Sequence, residues 1–146
     1  MDLLQKQSGM YIWHYIPFFI LVSYRTQVMV DFFDSFGEPF ESYGVDFPYH
    51  VTSATDFQVQ SDVTSNCGLF CLWYLYNRAL GKSSSKVISL LKADREENDW
   101  IVEEFIIRRH MKQVHKGGQT CCSRLVNQLL KRRPHLLKSY HSSSNC

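Results

Sequence analysis

The stretch Gln60-Ser61-Asp62-Val63-Thr64-Ser65-Asn66-Cys67-Gly68-Leu69-Phe70-Cys71 constrains this chain more than any other. A polar segment gives way at Cys67 to an apolar run of helical length. That run continues through Leu69, Leu72, Trp73 and Tyr76 to about Leu80, where Gly81 stops it. Ser65 or Asn66 is expected to cap the helix with its side chain. Cys67 therefore falls in the first helical turn, where free N–H groups and the positive end of the helix dipole favour a thiolate, the reactive form. Gln60, seven positions upstream of Cys67, can turn its amide toward the same spot and donate to an oxyanion. The pattern suggests a thiol nucleophile whose base must come from elsewhere in the chain.

Strand signals precede this helix. Residues 11–24 are dense in aromatic and β-branched side chains and form one expected strand, broken near Pro17. Arg25-Thr26-Gln27 has the character of a turn, and residues 28–34 alternate as a second strand through Val28, Val30 and Phe32. The short connection predicts a hairpin. Residues 38–51 make a loop rich in Gly, Pro and Tyr, and residues 56–60 a short third strand leading to the cysteine. Further helices are expected over Ser84–Lys92 and from Asn98 to about Val114. Gly117-Gly118 breaks the pattern, and Thr120 is placed to cap a fourth helix that ends before Pro134. Strands first and helices afterward predict an α+β fold. The expected architecture is a small, mostly antiparallel sheet packed against helices, with Cys67 at the N-terminus of the central helix.

The chain has 146 residues, which suits one domain with a core of aromatic character. Its net charge of +2 conceals a split. Residues 1–104 hold 14 acidic and 7 basic side chains, a net of −7, whereas residues 105–146 hold nine Lys or Arg and no acid, a net of +9. A purely basic C-terminal stretch suits an anionic partner, nucleic acid foremost, or simply a solvated extension. The candidate phosphate contacts are Arg108, Arg109, Lys112, Lys116, Lys131, Arg132 and Arg133. Five cysteines, at 67, 71, 121, 122 and 146, fit neither a paired zinc motif nor a secreted disulfide framework, which favours a reducing compartment. His110, His115, Cys121 and Cys122 do not make a convincing zinc site, because adjacent cysteines rarely ligate one ion together. The apolar segment 10–22 is too short to span a bilayer and lacks a small-residue cleavage site after it, so neither a membrane anchor nor secretion is expected.

A cysteine nucleophile needs an imidazole to take its proton and a carboxylate to orient that imidazole. Of six histidines, His110, His115, His135 and His141 lie beyond the last acid and His50 lies in the loop. His14 lies on the first expected strand, across the hairpin from the strand that ends in Asp34. Side chains on paired strands approach to about 5 Å. His14 with Asp34 is thus the most economical pair, against the plainer account of a buried histidine and an acid that opens a turn.

Taken in order, His14-Tyr15, Phe33-Asp34-Ser35-Phe36-Gly37, Val59-Gln60 and Cys67-Gly68-Leu69-Phe70-Cys71 form a recognisable series. It resembles the adenovirus endopeptidase (adenain) family, most closely the adenain-like proteases of Polinton/Maverick and adintovirus-type mobile elements, of the same clan as the SUMO-specific proteases. The family pattern is His followed by Trp, an acid inside a Phe-acid-x-Phe-Gly segment, a Gln, and Cys-Gly. The step from Gln60 to Cys67 agrees with it, and residues 94–102 are similar to the downstream helix of the mobile-element members. The likeness covers roughly residues 9–109.

The resemblance implies a Cys-His-Asp endopeptidase that cleaves viral or element-encoded structural proteins through an acyl-enzyme. Cys67 would be the nucleophile, His14 the general base and acid, Asp34 its orienting partner, and Gln60 the side-chain donor of the oxyanion hole. Residues 1–114 would form the protease domain and residues 115–146 a basic helix and tail. No cofactor is implied, although DNA and a short viral peptide stimulate the adenovirus enzyme, and the basic tail here suits DNA as an activator. The implied location is the nucleus or a virion, otherwise the cytoplasm. The sequence departs from the pattern in three places. Tyr15 stands where Trp is usual, the stretch from His14 to Asp34 is a few residues longer, and only 13 residues precede His14 where the family has a longer leader walling the cleft. That last departure makes a truncated copy an expectation too, with an inactive remnant that binds nucleic acid or protein as the alternative function. A SUMO- or ubiquitin-like-specific protease of the same clan is a further alternative.

Overall fold

The computed structural model describes residues 20–24, 29–44, 46, 48–115 and 123–135. Strand β1 (Ile20–Tyr24) pairs antiparallel with β2 (Met29–Phe33), with Ile20 opposite Phe33 and Tyr24 opposite Met29. The other edge of β2 pairs with β3 (Val51–Ser53), and this pairing is parallel. Mixed helix and strand make the fold α+β. The sheet, however, is mixed and not mostly antiparallel, and its third strand is 51–53 instead of 56–60.

Local hydrogen bonding explains both corrections. A parallel neighbour needs a long crossover connection, and residues 34–50 supply one through a tight turn and a 3-10 turn at Phe40–Tyr43. Beyond β3, the Thr55 hydroxyl donates to the Phe57 carbonyl (2.8 Å) and accepts from the Phe57 N–H (3.2 Å). Such a side-chain turn competes with a strand ladder. The N–H groups of Val59 and Gln60 then both donate to one acceptor, the Ser35 carbonyl, at 2.9 and 3.1 Å. Two successive donors on a single oxygen bind the segment to residue 35 without making it a strand.

Alternation along β2 sorts its side chains to two faces. Val30 and Phe32 are buried on one face, where Phe32 meets Phe40 and Tyr43 at ring-centroid distances of 5.4 and 5.7 Å, with Val51 beside them. Asp31 and Phe33 face helix α1 (Cys67–Ala79). The Phe33 ring stacks on Tyr74 at 4.4 Å, and Asp31 forms an ion pair with Arg78. α1 buries Leu69, Phe70, Cys71, Trp73, Tyr74 and Leu75, while Leu72 stays about half exposed (49%). It ends as expected, with Gly81 in the left-handed region (φ 81°) and the Lys82 N–H returning to the Asn77 carbonyl.

Helix α2 (Ser84–Ile88) is shorter than the expected 84–92. The N–H groups of Leu90 and Leu91 reach back only three residues, to Val87 and Ile88, and the Lys92 N–H is taken by the Asn98 side chain at 2.7 Å. Helix α3 (Arg95–His115) starts three residues before the expected Asn98 because the Asp94 carboxylate accepts from the N–H groups of Glu96 and Glu97 at 2.8 and 3.2 Å. Helix α4 runs Ser123–Arg132, and the expected cap Thr120 lies outside the described residues. The chain divides into two compact units, residues 1–99 and 100–146. No described helix is long and apolar enough to cross a membrane.

Candidate active site

Asp34 follows β2 directly and is buried (1% exposed). Its Oδ1 accepts from the Phe36 N–H at 3.1 Å, and its Oδ2 accepts from the Glu38 N–H at 3.1 Å and the Tyr43 hydroxyl at 2.9 Å. An acid that binds its own following backbone shapes a turn, here the one closed by the Gly37 N–H on the Asp34 carbonyl. Burial foremost, then the hydrogen bond to Asp34 and the charges of Asp34 and Glu38, holds the Tyr43 hydroxyl protonated well above its usual range.

Gln60 is entirely buried, and both ends of its amide are engaged. Oε1 accepts from the Ser35 hydroxyl at 2.8 Å, which orients the group so that Nε2 donates to the Thr64 carbonyl at 2.7 Å. The amide thus faces the loop that delivers Cys67, and it is tied to the residue next to Asp34. Cys67 is the first residue of α1 and only partly covered. Asn66 does not cap the helix: its φ and ψ are −88° and 5°, and its side chain makes no capping bond. The Asn66 Nδ2 donates instead to Asp99 at 3.3 Å.

Cys71, one turn further along α1, is buried, as a free cysteine acting as a small apolar residue usually is. Burial first, then the nearby Cys67 and Asp34, pushes its thiol up to about 12. Cys67 and Asp34 each lie within electrostatic reach of the Cys71 sulfur. A thiol so disposed stays protonated and inert at neutral pH. Cys71 is expected to escape brief iodoacetamide treatment of the folded protein while Cys67 is alkylated; peptide mass mapping reads both sites in one digest.

Three expected positions, Asp34, Gln60 and Cys67, thus lie around the junction of β2, the 60–66 loop and α1. His14 lies outside the described residues. The residues that sequence reasoning passed over are the ones that hold the junction. Asp99, buried at 1% exposure, accepts from the Ser61 N–H (3.3 Å), the Ser61 hydroxyl (2.5 Å), the Thr64 hydroxyl (2.9 Å) and Asn66. Asn98 beside it donates to the Val59 and Lys92 carbonyls, each at 3.0 Å. Both belong to the 94–102 segment, whose acids otherwise suit a solvated helix start.

In the second unit, the Arg133 Nε donates to Glu103 at 3.0 Å, and its guanidinium lies 4.1 Å from the centre of the Trp100 ring. Arg108 pairs with Glu104 one turn away, and the Arg109 guanidinium lies 5.8 Å over Phe105. Lys131 and Arg132 are exposed in the last turn of α4. The side chain of Lys112 and the whole of Lys116 lie outside what is described. Two acids, Glu103 and Glu104, so offset part of the basic charge of their own unit. Among the described residues no group of three or more His, Cys, Asp or Glu is arranged to hold a metal ion. No protein-family model, curated protein or solved structure matches the chain.

Proposed function

We propose that the chain is a cysteine-type endopeptidase of adenain-like character, acting on viral or mobile-element structural proteins in the nucleus or a virion. The observation that supports this most is the common frame of Asp34, Gln60 and Cys67. Ser35 binds Gln60, Gln60 binds the loop before Cys67, and Cys67, only partly covered, opens α1. In this mechanism the Cys67 sulfur attacks the scissile carbonyl carbon while His14 takes the thiol proton. His14 then gives that proton to the leaving amine as the C–N bond breaks, and water hydrolyses the thioester. Asp34 would orient His14, and Gln60 would donate to the oxyanion. The exposed Lys131 and Arg132, with Arg108 and Arg109, would add salt-sensitive phosphate contacts to DNA as an activator.

One observation favours the alternative of a non-catalytic remnant that binds nucleic acid or protein. The Asp34 carboxylate already takes three donors, and the Gln60 Nε2 already has an acceptor. Alkylation separates the two. In an active enzyme Cys67 is labelled rapidly by iodoacetamide near neutral pH, and His14→Ala slows it. Slow labelling indifferent to His14 sinks the enzyme. Fluorogenic SUMO and ubiquitin substrates, tested in parallel with denatured polypeptide, separate a general endopeptidase from a Gly-Gly-specific one.

A further inference from the structure

We propose that Trp100, Glu104, Arg133 and His135 form a binding site for one nucleotide unit, its phosphate on the Arg133 fork and its base against the Trp100 indole. The four residues line one small cavity of the second unit, two of them on α3 and two just past the end of α4. Its empty volume, the solvent-facing mouth included, is about 220 Å³. Pockets that enclose a drug-sized ligand run from about 300 to 1,000 Å³. This one therefore suits a group the size of a phosphate and leaves the rest of a ligand on the adjoining surface. That surface includes the Trp100 indole, which is half exposed (49%).

Two contacts fix the Arg133 guanidinium. Its Nε donates to the buried Glu103 at 3.0 Å, and its central carbon lies 4.1 Å from the centre of the Trp100 ring. Among the described residues no acceptor meets its Nη1 or Nη2, and none meets the Trp100 Nε1–H or the ring nitrogens of His135. A fork held in place with its outer nitrogens unpaired matches two oxygens of a phosphate, which a lysine ammonium does not. Glu104 makes a nucleotide a better fit than a bare anion. Arg108 places both Nε and Nη2 on the Glu104 Oε1, at 2.8 and 2.6 Å, which offsets the charge and leaves Oε2 without a donor. Every nucleobase carries a ring or exocyclic N–H for such an oxygen, and a sulfate or carboxylate carries none. Bases also stack on exposed aromatic rings, at about 1–3 kcal/mol per base. A chain of nucleotides gains further from Lys131 and Arg132, exposed in the two positions before Arg133. Peptide cleavage plays no part in this site, so it stands apart from the endopeptidase function while giving that function's DNA partner a place to bind.

Fluorescence anisotropy of the full chain tests the site, with a fluorescein-labelled oligothymidylate and a duplex of equal length as probes and circular dichroism as the check on folding. Trp100→Leu is expected to weaken single-strand binding about 10-fold, as the loss of one stacked base allows, and to leave duplex binding unchanged. Arg133→Lys keeps the charge but not the fork, and a similar loss on the single strand is expected. Lys131→Gln, by contrast, should weaken both nucleic acids alike and lower the salt slope by about one. Competition separates the sources of the nucleotide. AMP is expected to displace the oligothymidylate from the parent, while inorganic phosphate at the same concentration leaves it bound. Tighter binding of the oligothymidylate than of AMP assigns the site to nucleic acid, and the reverse order assigns it to a free nucleotide. The proposal is overturned if folded Trp100→Leu binds the single strand as the parent does, if its loss on the duplex is as large, or if phosphate competes as well as AMP. Parental single-strand binding by folded Arg133→Lys overturns it too. Trp100 is half exposed, so its variant keeps the test in hand should Arg133→Lys fail to fold.

Discussion

If the chain cleaves peptides as proposed, Gln60→Ala is expected to lower kcat/KM by about 100- to 1000-fold, the usual cost of removing an oxyanion donor. Cys67→Ser serves as the inactive baseline. The structure adds a second consequence that a pure oxyanion donor would not have. The Gln60 amide bridges the Ser35 hydroxyl and the Thr64 carbonyl with no exposure to solvent. Truncating it leaves the buried Ser35 hydroxyl and the partly buried Thr64 carbonyl without this partner, which costs about 1–3 kcal/mol of stability. The unfolding midpoint should therefore fall together with the rate. Ser35→Ala separates the two effects, since it keeps the Gln60 amide but frees its Oε1 end. It should lose some stability and much less activity. A folded Gln60→Ala variant that cleaves at the parental rate would remove Gln60 from the mechanism and leave it a brace for the loop.

Gly37→Ala is the second substitution with a large expected effect, and here the effect is on folding. Gly37 sits at φ 76°, a backbone region that side-chain-bearing residues rarely adopt. An added Cβ would also lie 2.4 Å from the Phe57 carbonyl carbon and 2.7 Å from both the Phe57 oxygen and the Gln58 nitrogen. Those are backbone atoms of the segment that leads to Gln60, and they cannot rotate aside. Backbone strain of about 1–3 kcal/mol plus this overlap predicts a destabilisation of roughly 3–4 kcal/mol. Urea unfolding should show the midpoint falling with an unchanged slope. Because the displaced segment carries Gln60, surviving folded protein should also lose activity. A midpoint within error of the parent would show that the turn relaxes and that residues 57–58 do not pack against it as described.

Much of the fold was legible where local chemistry decides it. The α1 boundaries followed from an apolar run that begins at Cys67 and from Gly81, which takes the left-handed conformation that ends a helix. The second strand followed from the alternation of Val30 and Phe32. What misled was chemistry that depends on a distant partner. Residues 56–60 look extended, but Thr55 bends them and the Ser35 carbonyl takes two of their N–H groups. Asn66 looks like a cap, but Asp99, thirty-three positions away, takes its side chain. The basic end looks unopposed, but Glu103 and Glu104 pair with Arg133 and Arg108.

The amino-acid order by itself determined the kinds of element and their succession, strands then helices, and the position of Cys67 at the start of a helix. Those properties arise from turns, caps and periodicity within a few residues. Only the tertiary structure decided that β3 runs parallel to β2, that Gln60 is held between Ser35 and Thr64, and that Asp99 gathers the loop before Cys67. Gln60 and Asp99 are buried polar groups, which their surroundings oblige to find hydrogen-bond partners. Which partner each one finds depends on how the chain is folded in space.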